Sequence, residues 1–366
     1  MISQQGNGRQ DLSGTGHTTW KRWARRAAGA LAASLVVLLT LTPMGCYISR
    51  AAYEEARILA RRQPIERLVV RDNTEPALRA KLALVLAARQ FAIDSLGLEA
   101  KQSFTTFSQL DRDTLVLVVS AAYRDRLKLK TWSFPVVGSF PYKGFFDFNE
   151  ARKTAAQLRV EGFDVSMGPS SAFSTLGWFN DPLVSTTVRQ DSVTLVNTVL
   201  HELLHNTYFA KGKVSFNETF ASFVGGRGAE HFFRARGDSA LLRRAQEDWH
   251  DDLVLGAFWG STARQIDSVF SALPDSATAA RIAARDSVYA RAQRRLVDSV
   301  GPQLLGYPPG WPSRVVLDNA VLLARRVYAD RLDRFDSAYV ASGSDLKLAI
   351  SRIIAAHRDS VQRQDR

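Results

Sequence analysis

The 366-residue sequence predicts a helix-rich α+β fold, with a small N-terminal α/β part over about residues 64–200 and a C-terminal helical part over about 238–366. Two observations predict it. Thr114-Leu115-Val116-Leu117-Val118-Val119-Ser120 and Phe163-Asp164-Val165 are β-branched or apolar runs that read as strands, and both lie in the first half. From Asp238 onward the chain instead reads as helices over about 238–272, 276–299, 314–341 and 344–362, punctuated by Pro274, Gly301-Pro302 and Pro308-Pro309-Gly310. A third observation sets the junction: between the two parts lies an amphipathic segment carrying two histidines four residues apart.

The N-terminus is built for export. Lys21, Arg22, Arg25 and Arg26 form a positive region, and no charge follows from Ala27 to Ser49. With its apolar heart at Ala30 to Leu41, this stretch reads as a signal peptide or membrane anchor, with the rest of the chain facing away from the cytoplasm. Cys46 is the only cysteine, so no intramolecular disulfide and no cysteine metal cluster can form. Its place after Gly45, at the end of the apolar run, suggests cleavage before Cys46 and lipid attachment to it, although Pro43 and Met44 depart from the usual processing signal. An uncleaved single span is the alternative. Residues 1–46 are thus an anchor segment and 47–366 the body, which points to the bacterial cell envelope, on the periplasmic side.

The net charge of +12 does not indicate a nucleic-acid partner. Residues 1–50 hold six Lys/Arg and one acid, which leaves +7 on the body, spread along helices where Arg alternates with Asp. No nucleic-acid motif is present.

Tyr47 to Arg62 reads as an amphipathic helix, and Glu75 to Leu96 as another that stops near Gly97. Residues 131–146, dense in Pro, Gly and aromatics, read as a loop whose aromatics are mostly core. Asn149 to Val160 is a helix stopped by Gly162. Ala172 to Leu176 is expected as an edge strand able to pair with an extended peptide, or as a plain sheet strand.

The motif follows. His201-Glu202-Leu203-Leu204-His205 is an HExxH pattern, preceded by the N-cap pair Asp191-Ser192, on a helix to which the apolar positions Leu195, Val196, Val199 and Leu203 give a buried side. With six histidines and eleven glutamates in the chain, a chance copy is expected about 0.003 times, so composition does not explain it. On a helix both imidazoles face one side and can share a cation, while Glu202, one residue on from the first, suits a general base toward an activated water. The ligand types favour Zn²⁺.

Catalytic zinc takes three protein ligands. The extension HExxHxxGxxH is absent, because Tyr208 and Lys211 occupy its places. Glu218, thirteen residues after His205, is the candidate third ligand, on a second helix from Phe216 to Val224 after the turn Lys211-Gly212-Lys213. Ser215-Phe216-Asn217-Glu218 also matches a capping box, in which Glu218 would bond back to the cap. Glu230 and His231 are the other candidates, while His250 and His357 fall in charged stretches and read as solvated. Tyr328, Tyr208 and Tyr142 are open candidates for a donor to a developing oxyanion.

Several blocks in order resemble a known group, the predicted aminopeptidases of bacteria, a gluzincin-like lipoprotein family. They are Gly45-Cys46-Tyr47, Trp132-Ser133-Phe134-Pro135-Val136-Val137-Gly138, Pro141-Tyr142-Lys143-Gly144-Phe145-Phe146, Ser174 to Pro182, HELLH, Phe216-Asn217-Glu218 and Asp318-Asn319-Ala320. The resemblance implies a zincin-like fold and a membrane-anchored zinc peptidase. In it His201, His205 and Glu218 would be ligands, Glu202 the base, Cys46 the lipid site, and a peptide or protein the substrate. The GxMEN block by which gluzincin aminopeptidases hold a free amine is missing, so endopeptidase action stays open beside exopeptidase action. The competing reading is a non-catalytic, metal-stabilised envelope protein that binds peptide or cell-wall fragments, for which Glu202 would have no use.

Overall fold

The computed structural model describes residues 20, 23–30, 41–114, 116–134, 138–169, 182–329 and 331–364. The apolar residues 31–40 and the expected strand at 172–176 lie outside them. Two compact units divide the chain, Met1–Arg57 and Ile58–Arg366. In the first, residues 23–30 are helical, and helix α1 (Pro43–Ala60), whose last three residues belong to the second unit, carries Cys46, exposed, in its first turn. Among the described residues no helix is long and apolar enough to cross a membrane.

The second unit is helix-rich with small sheets. Strand β1 (Gln63–Pro64) leads into α2 (Ile65–Val70) and α3 (Pro76–Asp94). Glu75 caps α3 by accepting the N–H groups of Ala77 and Leu78, and Gly97 turns the chain at φ +70°. Strands β2 (Thr106–Ser108) and β3 (Leu117–Ala122) come next, then β4 (Trp132–Phe134), β5 (Gly138–Phe140) and β6 (Lys143–Phe145). Residues 131–146 are therefore more than a loop. β4 and β5 pair antiparallel with Trp132 opposite Phe140, and β6 pairs with β3. Pro141 falls between β5 and β6, whereas Gly138 and Gly144 lie inside these three-residue strands, so the glycines that argued for a loop do not interrupt the pairing.

Helix α4 (Phe148–Val160), capped by Asp147, and strand β7 (Asp164–Pro169) complete a small layer. The antiparallel sheet runs β6-β3-β7, and Val119, Ala121, Phe145 and Val165 pack against Ala151, Ala155 and Leu158 of α4. A second sheet, β1-β2-β8, is closed by the parallel strand β8 (Leu183–Val184), followed by the short α5 (Ser185–Val188).

The main core lies where α3, α6 (Ser192–Thr207) and α7 (Val214–Ala235) meet α12 (Leu332–Val340) and α13 (Leu346–Gln364). A further core joins the long α8 (Ser239–Ser271), α9 (Thr278–Arg295) and α11 (Asn319–Ala329); a short α10 (Trp311–Arg314) precedes α11. The expected single helix over 314–341 is broken twice. Asp318 accepts the Val321 N–H (2.8 Å) and so starts α11 afresh, while Arg331 adopts a left-handed conformation at φ 63° before α12. Buried Asn319 explains the first break: its side chain donates to the Tyr123 carbonyl (2.7 Å) and accepts from Tyr289 Oη (2.7 Å). Neither break carries a Pro or Gly signal.

Helix α7 is also longer than expected. Gly225-Gly226-Arg227-Gly228 does not end it but forms its buried interior. A Cβ on Gly225 would fall 2.2 Å from Asn197 Oδ1, one on Gly226 2.5 Å from Trp249 Cε3, and one on Gly228 2.6 Å from Leu200 Cδ1. The glycines let α7 lie close against α6 and α8. Arg227 binds the arrangement, with guanidinium bonds to Asp336 (2.6 and 2.8 Å) and Glu230 (3.0 Å).

Replacing Gly226 by Ala gains about 1 kcal/mol of helix propensity but overpacks a site where strain costs about 1–3 kcal/mol. Trp249 cannot give way freely, since its indole N–H donates to Asp336 (3.2 Å). Urea denaturation of Gly226→Ala should show a net loss of stability; a gain would rule out the close approach.

On α8, burial first, then the charges of Asp248 and Asp251, push Asp252 up to about 7 against the opposing Arg325. An acid raised in the folded state favours folding only while protonated, so its contribution is complete below pH ~4 and is lost as pH rises through ~7. Denaturation midpoints measured across this window should therefore fall with rising pH less steeply in Asp252→Asn than in the parent.

Candidate functional site

The site is assembled from the ends of two consecutive helices. Asp191 caps α6 by accepting the N–H groups of Val193 (2.9 Å) and Thr194 (3.0 Å). Val193, Leu195, Val196, Val199, Leu200, Leu203 and Leu204 bury one face of that helix. The opposite face carries His201 and His205, half-buried, with ring centroids 5.0 Å apart, and Glu202 beside them. The helix ends at Tyr208, whose backbone is extended, and Gly212 turns the chain at φ +74°.

Helix α7 then returns Glu218 to the histidines. Its carboxylate oxygens stand 3.4 Å from His201 Nε2 and 3.5 Å from His205 Nε2. The capping-box reading fails: Lys213 is the N-cap and makes no side-chain cap bond, so Ser215 and Glu218 lie inside the helix. The turn between the helices is locked by the adjacent Asn217, only 2% exposed. Asn217 Nδ2 donates to the Ala210 carbonyl and its Oδ1 accepts the Ala210 N–H, both at 2.8 Å.

Burial first, then the neighbouring His201, hold His205 at about 4 against the pull of Glu218, so its imidazole is neutral at pH 7. Burial works to raise the Glu218 carboxyl, but the His201 hydrogen bond and the two imidazoles outweigh it and hold Glu218 below the usual carboxylate range. One ligand atom from each of His201, His205 and Glu218 lies within 4.8 Å of the others. Imidazole nitrogens and an anionic carboxylate, partly desolvated and converging, form a donor set suited to a cation of the Zn²⁺ type. His205 Nδ1 is buried without a hydrogen-bond partner among the described residues, so the Nε2 side carries this ring's polar interactions.

Two phenols flank the cluster. The Tyr328 ring lies 6.4 Å from that of His201, and burial, followed by the charges of Glu218, Tyr142 and Glu202, pushes its hydroxyl up to about 12. Tyr142 is likewise raised, by burial and then by Glu218. Both phenols stay protonated at neutral pH. Tyr208, the third sequence candidate, is turned away and shares a 2.8 Å hydrogen bond with His357 Nδ1.

Other sequence candidates are engaged elsewhere. Glu230 takes Arg227, and His231 Nε2 is hydrogen-bonded to Tyr339 Oη at 2.8 Å. His250 is exposed and contacts the Gln303 carbonyl. His357 is half-buried and engaged rather than simply solvated: its ring stacks on Phe216 with centroids 4.1 Å apart, and burial, then Lys213, hold it below its usual value. The roles of Asn217 and His357 had no local signature, since one sits inside an apparent capping box and the other among charged neighbours.

A model of the family described as "Putative aminopeptidase" matches residues 46–366. This chain belongs to that family. The family is one of peptidases, hence of hydrolases that take peptide substrates, and its match covers all the residues of the site. No curated protein and no solved structure gives a significant match.

Because Asn217 satisfies both backbone groups of Ala210 in a buried turn, Asn217→Ala leaves a donor and an acceptor unpaired. It should lower stability by about 2 kcal/mol in denaturant titrations. Asn217→Asp should fall at least as far, because a carboxylate cannot donate to the Ala210 carbonyl.

Proposed function

We propose that this chain is a membrane-anchored, zinc-dependent peptidase of the zincin type. The observation that carries the reading is the convergence of His201, His205 and Glu218 within 4.8 Å, with Glu202 on the same helix face. These three residues would hold the ion. Zinc there would lower the pKa of a water toward neutrality and polarise a peptide carbonyl. Glu202 takes the proton of the attacking water and delivers it to the amine that leaves. Tyr328 and Tyr142, protonated at neutral pH, are the hydroxyls available to the oxyanion that develops. Amino-terminal action follows from the family's description, and internal cleavage is the competing mode on the same machinery. The anchor reading rests on the charged and apolar N-terminus together with exposed Cys46 as the lipid-bearing residue. It puts the body on the periplasmic side of the envelope.

The deciding experiment is metal analysis of the full-length chain purified without added metal, followed by peptide-library cleavage. The parent should hold about one zinc per chain, and Glu218→Ala much less. Glu202→Gln should keep the zinc and lose at least about a hundredfold in turnover. Zinc retained in Glu218→Ala would remove Glu218 from the ligand set, and full turnover in Glu202→Gln would overturn the mechanism.

A further inference from the structure

The distance between the second and third proposed ligands is set by the twelve residues that join His205 to Glu218. Asn217 holds this connection from inside. It is also held from outside, by the last helix of the chain. His357 of α13 stacks on Phe216, two residues before Glu218, with ring centroids 4.1 Å apart and planes inclined by 28°. The same imidazole shares, through Nδ1, a 2.8 Å hydrogen bond with the hydroxyl of Tyr208, three residues after His205. One ring thus touches both flanks of the turn. Arg358 adds a cation over the Tyr208 ring at 5.4 Å.

The placement is not incidental to the helix. Leu346, Ile350 and Ile353 form the buried stripe of α13, and His357 takes the next position on that stripe. An apolar side chain there would continue the core. An imidazole instead presents a flat face to Phe216 and a polar edge to Tyr208, which an aliphatic residue cannot do together. Phe216 is itself fixed from other sides by Phe220 and Phe335, with centroids 5.7 and 5.8 Å away. Movement of the imidazole is therefore passed to the turn rather than absorbed by a loose ring.

We propose that His357 is a positioning residue for the metal site: it latches the C-terminal helix onto the α6–α7 turn and so holds Glu218 in register with His201 and His205. The inference rests on the metal reading given above. It assigns to the C-terminal helix a role in cation affinity distinct from its role in stability. Outer groups that orient ligands commonly change metal affinity by about 10–100-fold when removed.

The test is zinc affinity of the full-length chain, measured by competition with a chromophoric chelator, beside thermal unfolding of the metal-free protein. His357→Ala should weaken zinc binding by about tenfold. His357→Phe, which keeps the stack, and Tyr208→Phe, which removes only the hydroxyl, should each weaken it less, and the two together no more than one alone. Ile353→Ala, one turn back on the same stripe, should lower the unfolding temperature and leave zinc affinity within about twofold, because it leaves the stack on Phe216 and the bond to Tyr208 in place. Unchanged affinity in His357→Ala overturns the proposal, as does an equal loss in Ile353→Ala, which would reduce the helix to general support. If His357→Ala does not fold, the two Phe variants decide: unchanged affinity in both overturns the latch. A parent chain that takes up no zinc overturns the metal reading itself, and the latch with it.

Discussion

The close approach of α7 to α6 is the constraint on which the rest depends. It is possible because Gly225 and Gly228 present no side chain where Asn197 and Leu200 arrive, and Gly226 leaves room for Trp249. Glycine inside a helix costs about 0.5–1 kcal/mol each. Burial of Phe220, Phe223, Phe232 and Phe233 along the same helix offsets this. Glu218, Ala221, Gly225 and Gly228 recur at helical spacing, so the face that brings the helices together is also the face that carries the carboxylate. Were α7 displaced by one side chain's thickness, Glu218 would no longer stand within 3.5 Å of both imidazoles.

The electrostatics follow from that geometry. Desolvation disfavours charge on His205, and the facing imidazoles favour charge on Glu218, so the two effects leave a neutral ring opposite an anion. The phenols of Tyr142 and Tyr328 feel the same field, and the charge of Glu218 helps keep them protonated. Acid–base polarity in this site is therefore set jointly by burial, the Glu218 carboxylate and the two imidazoles.

The support beneath the site is built from separate parts of the chain. Arg227 joins α7 to Asp336 of α12, Asn217 closes the turn on itself, and His357 reaches the turn from α13. Asn319 shows the same principle farther away, drawing the start of α11 to the carbonyl of Tyr123 and the hydroxyl of Tyr289. Each is a polar side chain that is partly or fully buried and hydrogen-bonded, and all but Asn217, which bonds Ala210 seven residues away, reach groups thirty or more residues distant.

By itself the sequence determined the local features of the site: a helix capped by Asp191, two histidines and a glutamate at i, i+1 and i+4, a turn at Gly212, and a glutamate beyond it. These follow from spacing and capping, which act over a few residues. Helix and strand class along most of the chain were legible for the same reason. Only the tertiary structure decided the rest. Gly225-Gly226-Arg227-Gly228 reads locally as a break and is packed interior, because neighbouring helices supply what glycine lacks. Ser215 and Glu218 match a capping box that the fold does not use, since the helix begins at Val214 and the carboxylate has the imidazoles to face. The segment 314–341 is periodic throughout and still breaks at Asp318 and Arg331. His357 lies among charged residues and is held by two aromatic residues more than a hundred positions away. For the glycines, the unused capping box, the break beside Asn319 and the place of His357, the deciding energy comes from contacts distant in sequence, which spacing along the chain does not encode.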